Sequence, residues 1–354
     1  MLKQGVGVIT VFWVMLFWVN SAVAQVADLY RADVAAASER NVWQQHALVQ
    51  VLHRVSGNSA IVNNAAVQAE LKNAAAYIKQ FETQRQADGS NTMRVLLDAE
   101  KVNQLLTQQG IPVLGALRPQ TLVWLVQQQQ GERQFVRQST HNLNQLMQQA
   151  FDYFALPMLM PLYDIDDLLS LTETDVWAGF WQPIFQASQR YPADVVVAAT
   201  ILTEEQSGQV IYRMNWQLQQ EGRTYRVDLS AESEAELMQQ FAASLAEHLA
   251  KRYATVMSAE GEISLLLEIQ QVPTLADIVR VQRDLAQLVG VTQVTVIHYQ
   301  QSNVRFELRT NVSAESVKNA LRFNKMLQSI VQDASSPLPV DGVPVLATYR
   351  YLAL

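Results

Sequence analysis

Two apolar runs limit the folds open to this chain. Residues 122–126 read Leu-Val-Trp-Leu-Val, and residues 195–202 read Val-Val-Val-Ala-Ala-Thr-Ile-Leu. Neither run alternates polar with apolar residues, and both are rich in β-branched side chains. Strands of this kind bury both faces, so they belong in the middle of a sheet with helices on either side. Arg118-Pro119 precedes the first run and biases the chain toward extended backbone there.

The rest of the central lobe, residues 118–257, follows from periodicity. Leu143, Leu146, Met147, Ala150, Phe151 and Phe154 fall at helical spacing and predict a helix over 140–155. Residues 157–163 read as a second strand, and 175–191 as a helix kinked at Pro183. Val210, Tyr212, Met214, Trp216 and Leu218 alternate with Ile211, Arg213, Asn215 and Gln217. Glu221-Gly222 then turns the chain, and Tyr225, Val227 and Leu229 continue the alternation. That pattern predicts an antiparallel hairpin with one wet face. A long amphipathic helix over 230–253 closes a three-layer α/β lobe with an antiparallel edge.

A smaller lobe precedes it, residues 26–117, expected to be mostly helical. Ser38 is placed to cap a helix to 56 that Gly57 closes in the left-handed conformation. Asn63 or Asn64 caps a second helix expected to reach 81. Residues 92–97 form a strand, and Asp98 caps a helix that Gly110 ends. The last lobe, residues 260–354, shows strand, helix, two strands, helix and strand, which is the ferredoxin-like order. Its closing strand over 345–352 follows a polar, Pro-rich connection over 333–344. The expected fold class is therefore multidomain α+β and α/β.

At 354 residues the chain is long enough for two or three domains, and its net charge of −7 argues against a nucleic-acid binder. Residues 1–24 have the plan of a signal peptide. Lys3 gives a thin positive end, 6–19 are apolar, and Ala22-Val23-Ala24 is a small-x-small cleavage site before Gln25. The alternative is an uncleaved N-terminal helix that anchors the protein. The chain has no cysteine, so it forms no disulfide and carries no lipid-bearing cysteine. A periplasmic location follows as the expectation.

Candidate sites are few. Asp164, Asp166 and Asp167 follow a strand of the central sheet, where α/β proteins bind ligands, and three acids can hold magnesium or calcium. Leu168 and Leu169 break the calcium-loop pattern, and the plainer reading, which is preferred, is an acid-rich loop capping the next helix with Asp166 favouring its positive end. Arg118 is a candidate anion or partner contact, with a salt bridge as the plain alternative. Trp124, Trp177, Trp181 and Trp216 fall in one lobe. Core packing explains most of them, and Trp181 and Trp216 are the candidates for a binding surface. His46, His53, His141, His248 and His298 are scattered. No nucleophile elbow, phosphate loop or dinucleotide fingerprint is present. No catalytic residue, cofactor or metal is assigned.

Several short motifs carry a family likeness. They are Leu52-x-Arg54-Val55-Ser56-Gly57-Asn58, Arg118-Pro119-x-x-Leu122-Val123-Trp124-Leu125, Tyr191-x-Ala193-Asp194, and Leu275-Ala276-Asp277 followed by Arg280-Val281. The chain resembles the uncharacterised proteobacterial envelope proteins of domain-of-unknown-function family 2066. That resemblance implies a secreted protein of unknown activity and supplies no catalytic residue. The central lobe is also similar to small α/β domains of bacterial envelope assembly proteins, which bind other proteins. Examples are the periplasmic domain of the curli secretion channel, the amino-terminal domain of the Tol-system propeller protein, and lipoprotein activators of penicillin-binding proteins. The expected function is a non-enzymatic interaction module in the cell envelope, with an envelope protein as partner. The alternative is a ligand-binding protein or metal-assisted hydrolase using Asp164, Asp166 and Asp167.

Overall fold

The structure is a computed structural model that describes residues 29–36, 39–86, 89–206, 208–258, 261–330 and 345–352. The expected signal segment, the Ser38 cap and the Pro-rich connection over 333–344 lie outside the described residues. Among those described, ten helices and three sheets give a multidomain α+β architecture with no barrel.

The first lobe opens with β1 (Arg31–Ala35) and α1 (Arg40–Ser56). Gly57 ends α1 at φ 65°, and its N–H donates to the carbonyl of His53. Asn64 caps α2, which stops at Leu71 (Ala65–Leu71). The expected helix to 81 is therefore wrong. Residues 78–85 form β2 (Ile78–Arg85), which pairs antiparallel with β3 (Asn91–Leu97). Pairing across the sheet overrode the local helical spacing there. β1 pairs with the other side of β3, so this lobe holds a three-stranded sheet in the order β1-β3-β2 and is less helical than expected. Asp98 caps α3 (Ala99–Gln108) through the N–H groups of Glu100 and Lys101.

The central sheet is built on β4 (Thr121–Gln129). A tight turn at Gln130-Gly131 returns the chain as β5 (Glu132–Phe135), which pairs antiparallel with the end of β4. Then come α4 (Asn142–Tyr153) and β6 (Met158–Leu159), the latter only a brief parallel contact on β4. The stretch after it holds α5 (Ile165–Ser170), α6 (Glu173–Ala178) and α7 (Trp181–Ser188). The expected single helix kinked at Pro183 is instead two helices broken at Gly179, φ 70°. Pro183 sits in the first turn of α7, where no intrahelical N–H bond is required of it. β7 (Val195–Gln206) then runs parallel to β4. β8 (Gln209–Gln220) and β9 (Arg223–Ala231) add the expected antiparallel hairpin, and α8 (Glu234–Tyr253) closes the lobe.

Both faces of β4 are buried, as its composition requires. Val123 and Leu125 pack with Phe151 of α4 and Phe241 and Leu245 of α8. Leu122, Trp124 and Val126 pack on the other side with Val176 of α6 and Ile184 of α7. Each such large side chain contributes about 1.5–3 kcal/mol on burial. The starts of β4 and β7 are locked together. The Asp194 carboxylate accepts the Gln120 N–H at 2.7 Å, and the Asp194 N–H donates to the Gln120 carbonyl at 2.8 Å.

The last lobe contains β10 (Ile263–Gln270), α9 (Leu275–Ala286), β11 (Val291–Gln300), β12 (Asn303–Thr310), α10 (Ala314–Leu321), β13 (Leu327–Ile330) and β14 (Val345–Tyr351). Its sheet order is β11-β12-β10-β14-β13. The first four match the ferredoxin-like order, with one departure. β14 runs parallel to β10, because the extra strand β13 reverses the chain before it. β13 takes the direction of an ordinary closing strand, and β14 inserts between it and the core.

Candidate interaction surface

Arg118 is not at the surface. It is 5% exposed, and its guanidinium meets five backbone carbonyls. Nε donates to Gly115 at 2.8 Å, Nη1 to Phe154 and Ala155, and Nη2 to Leu114 at 3.0 Å and to Arg54. All five N–H donors are spent, so no group is left for an anion or a partner, and no carboxylate is among its acceptors. Burial first and the charge of Arg54 second pull its pKa down to about 9, which still leaves it cationic at neutral pH. Arg54 works alongside. It donates to the carbonyls of Tyr153 at 3.1 Å and Asp152 at 2.8 Å, and to Arg31. Of these acceptors, Arg54 lies near the end of α1, and Asp152, Tyr153, Phe154 and Ala155 lie at the end of α4 or just beyond it, where helix dipoles favour positive charge; Leu114 and Gly115 precede β4, and Arg31 belongs to β1. The two arginines thus tie the first lobe to the central one. Gly57 stands at the same junction, and a Cβ there would lie 2.7 Å from Cβ of Ala250 on α8.

The acidic loop is also occupied by its own chain. Asp164 caps α5 through the N–H of Asp167 at 3.1 Å, and Asp166 lies in the first turn of that helix. Arg190, just beyond α7, grips Asp164 with both Nη atoms at 2.6 and 2.8 Å. Asp167 is 1% exposed. It accepts from Arg190 at 3.2 Å, from the Tyr191 hydroxyl at 2.5 Å and from the Tyr163 N–H at 2.8 Å. Hydrogen bonding from Arg190 holds the Asp164 carboxyl below its ordinary range. Burial, then the bond to Asp167, pushes the Tyr191 hydroxyl up to about 12. Beneath lie Trp124, Tyr163 and Tyr191, with Trp124 edge-on to both tyrosine rings. This constellation ties the start of α5 to the end of α7. Asp166 is the exposed acid of the three, with only a 3.9 Å approach to Arg190. No group of three His, Cys, Asp or Glu side chains able to hold a metal occurs among the described residues.

Trp216 is fully buried. Its indole N–H donates to the Ser244 hydroxyl at 3.0 Å, and its ring packs on Phe241 and Tyr225. It belongs to the core under α8 and is no surface candidate. Trp181 is half-buried at the start of α7, with its ring 5.2 Å from that of Phe185. Of the three interaction candidates, only Trp181 lies near solvent.

Around it the structure shows what sequence reasoning missed. Ile165 and Leu169 of α5 are 75% and 82% exposed, and Leu162, Phe180 and Phe185 are exposed as well. Five large apolar side chains thus face water within one helical layer. Scattered apolar residues at a surface are ordinary, whereas a cluster in one layer marks a contact surface. A signal was available. The stretch 162–171 carries Leu162, Ile165, Leu168, Leu169 and Leu171, more apolar residues than one face of a short helix can bury. α5 packs Leu168 inward and leaves Ile165 and Leu169, one turn apart, outside.

Comparison with known proteins adds little about activity. A model for a domain of unknown function, DUF8605, matches residues 23–115. This is a different family from the 2066 group that the motifs suggested, and three of the four motifs lie outside the matched span. No curated protein and no solved structure matches the chain. What the chain carries, in its first lobe, is similar to a domain of unknown function.

Proposed function

We propose that this chain is a non-enzymatic periplasmic protein that engages an envelope-assembly partner through the layer of α5 and α7. The observation that carries this reading is the exposed array of Leu162, Ile165, Leu169, Phe180 and Phe185 beside half-buried Trp181. Leaving these side chains in water forgoes burial energy, and a partner that covers them recovers it. A well-anchored scaffold supports the array, since Arg190 clamps α5 to α7 and Trp124 sits beneath with its indole bonded to Ser188 at 2.9 Å. Export is supported by the signal-like plan of residues 1–24, and an envelope role by the motif resemblance to family 2066 outside the DUF8605 span.

The test is a photo-crosslinking amino acid placed at Leu169 in cells, followed by mass spectrometry. Discrete adducts are expected at Leu169 and Phe180, and none at a control position on the wet face of the β8–β9 hairpin such as Thr224. Equal labelling at all three positions would remove the surface from consideration.

A further inference from the structure

The same layer also indicates what kind of partner segment fits it, a step that rests on the interaction reading above. Its apolar side chains stand in two short ridges. Ile165 and Leu169 are exposed and one turn apart on α5, and on α7 exposed Phe185 stands one turn beyond Trp181, a half-buried ring that also packs against the core. The two helices are in contact, and Arg190, just beyond α7, holds Asp164 and Asp167 of the α5 segment. Neither ridge belongs to a strand, so an extended peptide gains no backbone ladder here. A helix can lay its own row of apolar side chains between two such ridges.

Charge fixes the rest of the chemistry. Asp164, Asp166 and Asp167 share the single cation Arg190, which leaves −3 + 1 = −2 at one end of the ridges. Asp166 is 82% exposed at the side chain and lies next to Ile165 in the same helix. Glu173 is already paired with Arg137, and Asp175 is held in the capping box of α6. Arg133 lies with its guanidinium 4.4 Å over the Trp177 ring of α6, so within residues 162–190 the unmet charge is negative and centred on Asp166. We infer that the α5–α7 layer is a seat for an amphipathic helix of a partner protein, with an apolar stripe and Lys or Arg beside it. An anionic lipid surface has the wrong sign for it.

The experiment uses the full chain and two fluorescein-labelled synthetic helices of about 16 residues. Both carry the same leucine stripe, and one has lysine where the other has glutamate. Fluorescence anisotropy is expected to show the leucine–lysine helix binding at least about tenfold more tightly than its glutamate twin. The decisive variant is Leu169→Asp, at a side chain exposed enough that folding is unaffected. It makes the surface more acidic, so mere electrostatic sticking of a cationic peptide must strengthen. Docking on the ridge must instead weaken by about tenfold. Asp166→Lys is expected to weaken the lysine helix and strengthen the glutamate helix. Equal binding of the two helices, or stronger binding to Leu169→Asp, overturns the proposal. So does binding to anionic vesicles that Leu169→Asp abolishes while neither helix binds. If crosslinks at Leu169 identify partners whose contact segments are acidic or extended, this inference fails while the interaction reading stands.

Discussion

Arg118 offers the sharpest test of how the lobes are joined. Replacing it with Met keeps most of the aliphatic volume and removes five donors from five backbone carbonyls, in three bonds that are buried and two that are part-buried. A hydrogen bond to a charged group contributes about 1.5–3 kcal/mol net, so five taken separately would total roughly 7–15 kcal/mol. That sum is too large, because removing the guanidinium also recovers its desolvation cost of several kcal/mol. Carbonyls also tolerate the loss of one partner better than N–H groups do. The net destabilisation is therefore about 3–5 kcal/mol. For 354 residues at ~2.1 cal/mol/K per residue, the unfolding entropy is about 0.74 kcal/mol/K, so a 4 kcal/mol loss lowers the melting midpoint by roughly 5 °C. Arg118→Lys keeps the charge but offers at most three donors from one nitrogen, and it should fall between Met and the parent. Calorimetry gives the midpoint. Amide exchange gives the location, because the Leu114 N–H, bonded to the Val55 carbonyl at 2.7 Å, should lose protection first. A midpoint within about 1 °C of the parent, or unchanged protection at Leu114, would refute the carbonyl-cage account.

Gly57→Ala should destabilise by more than about 1 kcal/mol, since φ of 65° strains any Cβ and that atom would also press on Ala250; urea unfolding checks this. Asp167→Ala should cost about 2–4 kcal/mol through the three hydrogen bonds this buried carboxylate accepts, whereas Asp166→Ala should stay within about 0.5 kcal/mol, and equal losses would contradict the division of roles. Adding magnesium or calcium after EDTA should leave the midpoint unchanged, because Arg190 already holds Asp164 and Asp167; a rise of several degrees that Asp166→Ala abolishes would restore a metal site. Burial pulls the His53 and His248 pKa values below 6.5, so the unfolded chain takes up protons first. Stability from these two groups is complete above pH 6.5 and falls as the pH drops from there toward their folded values. A urea-stability series against pH should show this slope reduced in His248→Gln.

The elements that could be read in advance are those whose signals are local. Continuous apolar runs mark β4 and β7 as central strands, alternation marks β8 and β9, and Asp98 caps the helix its position predicts. Gly57 is legible because a left-handed residue at a helix end leaves glycine as the natural choice. The sequence by itself therefore determined the α+β class, the double burial of the central strands and most helix starts. Its errors fall where a distant partner decides. Residues 78–85 carry a helix-compatible pattern, yet the exposed backbone of β3 recruits them as an edge strand. β13 and the parallel direction of β14 depend on which strand lies beside which, and no local period encodes that. Side-chain roles divide in the same way. An arginine before a strand reads alike whether it meets an anion, a carboxylate or five carbonyls. Only the convergence of the ends of α1 and α4 on Arg118 settles it. Trp181 and Trp216 are equivalent in sequence, and the layers of the fold place one near solvent and the other under α8. Periodicity reports that a residue has an inward face, but which faces find a cover is a property of the assembled tertiary structure, and on α5 two of them find none.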